Sequence, residues 1–243
     1  MAYPLTAMTI TIGSPGSLNG REGRRDLAAF YGDLLGMRVV SEGWLRIAKD
    51  EASALRFALD GDGWSDRRPP RYGDPEHPQQ LHLDVQVPDL DDAGARIVGM
   101  GGRLLEDFGD YRIYADPAGH PFCLDPGPGP VVTRLVFDCF SPRSLALFYE
   151  GLLGVHDRPE DTPERVEVAL GDERFPNFLF QHAEFVAPRW PDPAYPAQLH
   201  VDFRFEEGAT AAAARAEQLG AIRLPKLADT EIYADPSGHP FCL

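Results

Sequence analysis

Two short patterns in this 243-residue chain place proton-moving side chains together, His82-Leu83-Asp84 and His200-Val201-Asp202. A histidine titrates near neutrality and can serve as general acid or base. A carboxylate two residues along a strand shares its face and tunes its pKa. His82, Asp84, His200 and Asp202 are therefore the candidate catalytic residues; the other reading makes each histidine a hydrogen-bonded wall residue whose aspartate caps a loop. Cys123 and Cys242 recur near the end of each half. A thiol is a nucleophile only when its pKa is lowered, and no basic cluster flanks either one, so packing is the simpler role. Ahead of the histidines run two Pro-rich loops, 60–79 and 183–197, holding Trp64, Tyr72 and Trp190. Loops of that length cover sites or carry function. Their aromatic rings suit stacking on a flat ligand, and equally suit stapling the loop down. Arg67, Arg68 and Arg71 form the dense basic run, fit for an anionic group or simply solvated.

These residues recur because the chain is duplicated. RDLAAFYGDLLG at 25–36 returns as RSLALFYEGLLG at 143–154, and RYGDPEHPQQLHLD at 71–84 as RWPDPAYPAQLHVD at 189–202. IYADPAGHPFCL at 113–124 returns as IYADPSGHPFCL at 232–243. Three segments in one order at an offset of 118 or 119 define a tandem repeat. DPGPGP at 125–130 reads as the junction, which gives domains 1–127 and 128–243.

Each half divides again. MTITIG reads as a strand, and Leu27, Phe30, Tyr31, Leu34 and Leu35 fall at helical spacing before a stop at Gly36. Strands are expected at 44–48 and 54–59, then QLHLDVQV, a helix over 90–99, and strands near 103–106, 111–115 and 121–124. The pattern is β-α-β-β-β written four times, an α+β chain with mixed sheets. Alternation sends Leu81, Leu83, Val85 and Val87 toward the helices, leaving His82, Asp84 and Gln86 on the opposite face. By the same rule Leu199, Val201 and Phe203 turn inward while His200, Asp202 and Arg204 turn away. Cys123, Cys242, Thr9, Thr11, Arg134, Val136 and Asp138 join that outward face, and His120 and His239 lie in DPxGHPF turns read as structural.

Net charge is -15 and the pI near 4.8, a field that repels phosphate backbones and anionic membranes. No apolar run reaches the roughly 18 residues of a membrane helix. No basic-then-apolar leader opens the chain, and three cysteines make no disulfide framework, so a cytoplasmic protein is expected.

The motifs LAxFYxxLLG, P-x-QLHLD and ADPxGHPFCL, in order and twice over, resemble the vicinal oxygen chelate superfamily. That superfamily includes glyoxalase I, extradiol dioxygenases, fosfomycin-resistance enzymes and bleomycin-resistance proteins; the narrower likeness is to actinobacterial glyoxalase-like domain proteins. The resemblance implies two tandem domains of four βαβββ modules with cup-shaped mixed sheets. It also implies a divalent metal held by first-strand and last-strand residues of paired modules. His82 and His200 fall on such positions, but Cys123 and Cys242 replace the last-strand carboxylates. Arg134 and a threonine-bearing strand replace the other histidines, and the remaining position falls near Arg56 or Ala58 in one domain and Gln181 in the other. A divalent metal needs three or four matched ligands, so no metal cofactor is expected. The expected function is metal-independent binding of a small, aromatic metabolite or drug in a sheet cleft, through Trp64, Tyr72, Arg134, Gln181, Trp190, Cys123 and Cys242. The alternative is a lyase- or isomerase-type enzyme using His82 or His200. Whether module 2 closes on module 1 or module 3, and whether the chain is a monomer or homodimer, stays open.

Overall fold

The structure, a computed structural model, describes residues 3–13, 21–42, 44–60, 71–74, 76–77, 79–184, 186–190, 192, 195, 197–226 and 230–243. Trp64, Arg67 and Arg68 lie outside the described residues. Four βαβββ modules follow one another. Module 1 comprises β1 (Leu5–Gly13), α1 (Arg21–Leu35), β2 (Arg38–Ser41), β3 (Arg46–Ala48) and β4 (Leu55–Asp60). Module 2 comprises β5 (Leu81–Val87), α2 (Leu90–Gly99), β6 (Arg103–Asp107), β7 (Arg112–Ala115) and β8 (Pro121–Pro126). Module 3 comprises β9 (Val131–Cys139), α3 (Pro142–Leu153), β10 (Asp157–Asp161), β11 (Arg165–Ala169) and β12 (Asn177–His182). Module 4 comprises β13 (Leu199–Phe205), α4 (Ala209–Gln218), β14 (Ile222–Arg223), β15 (Ile232–Ala234) and β16 (Pro240–Cys242). β2 is the strand that hydropathy did not mark, because Arg38-Val39-Val40-Ser41 is a short exposed edge.

The helices stand where the apolar spacing puts them. Leu27, Phe30, Tyr31, Leu34 and Leu35 of α1, and Leu145, Phe148, Tyr149, Leu152 and Leu153 of α3, are all buried. Gly36 and Gly154 end the two helices at φ 64° and 71°, a left-handed turn that costs glycine nothing. Asp89 caps α2 by accepting from the backbone N–H groups of Asp91 and Asp92.

The modules pair across the repeat. One open eight-stranded sheet runs β6-β7-β8-β5-β9-β12-β11-β10, joining modules 2 and 3. The other runs β14-β15-β16-β13-β1-β4-β3-β2, joining modules 4 and 1. At the centre of each, two first strands pair antiparallel, β5 with β9 and β13 with β1. Each last strand lies parallel to its own module's first strand. The apolar face of each sheet packs on helices: the ring of Phe137 lies 5.0 Å from that of Tyr149 in the first sheet, and the ring of Phe57 lies 5.7 Å from that of Tyr31 in the second.

Helices also tie modules within a half. The Tyr31 hydroxyl of α1 donates to Asp116 in module 2 (2.8 Å), whose carboxylate also meets His120 Nδ1 (3.0 Å). Tyr149, Asp235 and His239 repeat the arrangement between modules 3 and 4. His120 and His239 are therefore buried turn residues, as their DPxG setting suggests. Between the halves, Gln80 and Gln198 exchange bonds. The backbone N–H of Gln80 donates to Gln198 Oε1 (2.9 Å), and that of Gln198 to Gln80 Oε1 (3.1 Å).

This topology makes each half incomplete. Residues 1–127 or 128–243 expressed alone would leave the central first strands with a bare edge, a template for self-association. Either half alone should run as a dimer or aggregate in size-exclusion chromatography with light scattering, and co-expressed halves should copurify one to one. A stable monomeric half would contradict the pairing.

Candidate functional site

Strand alternation and register together decide which side chains meet on the helix-free face. In the sheet of modules 2 and 3, one row across the strands reads Glu106, Ile113, Cys123, Asp84, Arg134, Asn177. The next reads His82, Val136, Leu179, Glu167, Glu160. A third holds Asp138, Gln181 and Arg165. His82 and Asp84 are each 6% exposed, Asp138 2% and Glu167 7%. Buried charge of this density persists only when paired or hydrogen-bonded.

Most of it is. Arg134 Nε donates to Glu167 (2.9 Å), and its NH1 reaches Asp84 at 3.5 Å. Asn177 supports Glu167 from the other side (2.7 Å), and Gln181 Nε2 donates to Asp138 (2.6 Å). Arg165 pairs with Glu160 at 3.4 Å. His82 Nε2 faces Asp84 at 3.5 Å while the Gln79 side-chain amide lies 3.2 Å from Nδ1. An amide N–H can only donate, so Nδ1 accepts and the neutral ring carries its proton on Nε2, toward Asp84. Burial lowers the pKa of His82, with Arg165 adding to that and Asp138 opposing it. Burial raises Asp84 despite Arg134, and raises Asp138 despite His82 and the bond from Gln181. Burial and the Asp84 carboxylate push the Cys123 thiol well up, so it is no nucleophile at neutral pH.

The other sheet repeats the frame with different contents. Its rows read Cys242, Asp202, Thr9, Arg56 and then His200, Thr11, Ala58, Arg46. His200 Nε2 lies 3.4 Å from Asp202, and Thr11 Oγ1 donates to Asp202 (3.2 Å). Burial works against the charge of Asp202, but His200 and bonds from His200, Cys242 and Thr11 hold its carboxyl below the usual value. Burial and Asp202 push Cys242 up.

The sequence placed these residues by alternation, and the structure brings His82, Asp84, Cys123 and Arg134 together on one face and His200, Asp202 and Cys242 on the other. Gln181 sits on the first face, bonded to Asp138. The position related to Cys123 by the local two-fold is Leu179, two residues before it, and in the other sheet Ala58. Tyr72 and Trp190 occupy matching places in two similarly folded loops. The Tyr72 hydroxyl donates to Glu106 (2.7 Å), and Trp190 Nε1 donates to the Pro225 carbonyl (2.9 Å). Both rings are thus stapled to the outer hairpin of their module. Tyr72 also lies near Cys123 and Tyr111 at the rim of the face, and its pKa is pushed up to about 12, by burial and then by Glu106. Glu167 and Arg46 escaped the sequence reading, because both sit on mid-module strands whose register no motif fixes.

The resemblance calls for a test of metal ligands. His82, Asp84 and Cys123 present donor atoms within 4.8 Å of one another, as do His200, Asp202 and Cys242, and so do Asp74, Glu76 and His77 on the loop before β5. Asp84 thus joins the His and Cys found by spacing. The donors on the sheets nevertheless do not fit a divalent ion. Asp84 is engaged by the Arg134 guanidinium, and Asp202 by His200 and Thr11, so neither carboxylate is open to an ion, and the facing strands add Arg134 and Val136 in one sheet and Thr9 and Thr11 in the other where further ligands would stand.

Two histidines should separate on titration. Burial opposes the charge on His239, but Asp235 beside it and Asp138 nearby outweigh that and raise its pKa, whereas His82 is lowered. Stability from His239 is complete below the unfolded value of about 6.5 and is lost as pH rises through the folded pKa. His82 has the opposite sign, costing stability as pH falls below about 6.5. Ring resonances followed by NMR from acid to alkaline pH should show His82 losing its proton first; the reverse order would contradict the network.

Among the described residues no helix is long and apolar enough to cross a membrane. No curated protein matches the chain in sequence. Among solved structures, glyoxalase I from Zea mays matches at TM-score 0.62 and 16% identity, over 100% of this chain and 92% of that one. A proposed dioxygenase from Bacillus subtilis matches at TM-score 0.59 and 14% identity, over 99% of this chain and 84% of that one. At such identity these establish the fold. The model of the glyoxalase-like domain family matches residues 21–124 and again residues 134–243, on either side of the Pro/Gly linker. With both repeats matched and the four-module fold in place, the chain belongs to the glyoxalase-like domain family of the vicinal oxygen chelate superfamily, in two tandem copies.

Proposed function

We propose that this protein binds a small organic molecule, without a metal, on the helix-free face formed by modules 2 and 3. The observation that carries this reading is the state of His82. Both its ring nitrogens are engaged within the protein, Nδ1 by Gln79 and Nε2 toward Asp84. A general base needs a lone pair aimed at substrate, and here the lone pair faces an amide. The Arg134 guanidinium, held between Asp84 and Glu167, offers fixed donors in place of a Lewis acid. Tyr72 and Tyr111 supply aromatic surface at the rim beside Cys123, which suits a ligand with a flat apolar part. A cytoplasmic location accords with the acidic composition and the lack of a disulfide framework.

A second reading keeps an acid/base role for the His-x-Asp pairs, because perturbed carboxyls and a depressed imidazole gather at working sites. Asp84 and Asp138, both raised, and His82, lowered, form such a group.

A thermal-shift screen of aromatic metabolites on chelator-treated protein tests both readings. A binder should keep its affinity after chelation. Tyr72→Ala should weaken binding by about 1–3 kcal/mol, the scale of a lost aromatic anchor. His82→Gln should weaken it by about 0.5–1.5 kcal/mol, one hydrogen bond. An enzyme would keep its affinity in His82→Gln while turnover falls ~100-fold or more. Loss of binding on chelation would sink the metal-independent reading.

A further inference from the structure

The two helix-free faces have the same frame and opposite polarity. Superposed on their paired first strands, the two sheets place Arg134 of one where Thr9 stands in the other, and Glu167 where Arg46 stands. In the sheet of modules 2 and 3 those positions hold a paired cation and anion, 2.9 Å apart. In the sheet of modules 1 and 4 they hold a hydroxyl and a cation. Arg46 Nε is buried and has no hydrogen-bond partner. An unsatisfied buried donor on a charged group is costly, and it lies on the same face as Ala58, in the row next to Thr9 and Arg56.

The surroundings reinforce this. Arg56 stands on the same face, its guanidinium donating to the Ser53 and Glu51 carbonyls, neutral acceptors that leave its charge uncompensated. Arg204 follows two residues after Asp202 on β13. Among the described residues none of these three arginines makes an ion pair, whereas Arg134 and Arg165 of the other face both do. The carboxylate among these rows, Asp202, is taken by His200, Thr11 and Cys242. The face of the other sheet has the reverse surplus: Asp125 stands beside Asp84, and among the described residues neither Asp125 nor Asp138 makes an ion pair to a lysine or arginine. A cation would be repelled from the arginine face; an oxyanion would complete it.

We infer that the helix-free face of modules 1 and 4 is a second binding site, for a small organic anion whose carboxylate or phosphate group is received by Arg46 and Arg56 beside Thr9. It is distinct from the site of modules 2 and 3 and does not rest on the function proposed for that one. Guanidinium groups receive such planar or tetrahedral oxyanions through paired N–H donors.

The test titrates the full chain with sodium phosphate and with sodium benzoate, against sodium chloride at matched ionic strength, by calorimetry and thermal shift. Saturable binding of at least one probe beyond chloride is expected. Arg46→Gln should weaken it by about tenfold or more, the loss of a charge-assisted bond, and Arg46→Lys by less. Because Arg46 Nε has no internal partner, Arg46→Gln should leave the ligand-free melting temperature unchanged or raised, which a structural arginine would not do. Arg56→Gln should also weaken binding, and serves if Arg46→Gln fails to fold. Arg174→Gln, which removes one charge from the β11–β12 turn, should have no effect. The inference is overturned if neither probe exceeds chloride, if binding survives both cleft variants, or if Arg174→Gln weakens it equally. Anion binding by the unsubstituted chain that Arg46→Gln or Arg56→Gln abolishes, with the aromatic screen blank, would reject the first site and retain this one.

Discussion

The architecture depends on the shortness of one connection. β8 ends at Pro126 and β9 begins at Val131, yet β5 lies between them in the sheet. The chain must cross the end of β5 and reverse, spanning two strand spacings, about 9.5 Å. Four residues can reach about 13 Å when extended, so module 3 has no choice but to join module 2. Gly127 makes the crossing, its N–H donating to the Val87 carbonyl (2.8 Å), and a Cβ there would fall 2.5 Å from Gln86 Oε1 and 2.9 Å from its Cβ. The Pro/Gly run that looks like a spacer is thus a turn inside a sheet. Module 1 is then left with module 4, and both faces are built from both repeats.

Energetics set the two faces of each sheet apart. The helix side is an aromatic core, with Phe137, Phe178, Phe180 and Tyr149 within about 5–6 Å centroid spacing. Each such ring contributes about 1.5–3 kcal/mol on burial. The other side buries Asp84, Asp138, Glu167 and His82, groups whose desolvation a hydrophobic replacement of similar volume would avoid. Retaining them costs stability, so packing alone does not explain that face. Duplication has let the two copies diverge there, while the buried helix residues Leu27, Phe30, Tyr31, Leu34 and Leu35 recur unchanged as Leu145, Phe148, Tyr149, Leu152 and Leu153.

Much of this was legible in the sequence, and the rest failed for definable reasons. Alternation needs only one strand at a time, so the facing of His82, Asp84, Cys123, Arg134 and Asp138 followed directly. Neighbours across a sheet depend on register between strands distant in sequence, and that is where Glu167, Arg46 and the Gln80–Gln198 exchange lay hidden. The third donor of each His/Asp/Cys group had the same cause: Asp84 opposes Cys123 only once β5 and β8 are aligned. Tyr72 and Trp190 lie in loops, as read, but nothing in their composition foretold the partners their polar atoms find on the outer hairpins, Glu106 and the Pro225 carbonyl.

The pairing of β1 with β13 has a consequence for how the chain comes into being. Ile12 meets Leu199, so one edge of the first strand made has to wait through about 190 residues of synthesis. At about 5–20 residues per second that is some 10–40 s. Throughout that interval module 1 can close only through β4, with an apolar strand edge exposed, while modules 2 and 3 complete their sheet. Folding is therefore ordered from the middle outward, with high contact order reserved for the last sheet to form. Chaperone dependence and co-translational aggregation should fall on the module that is translated first.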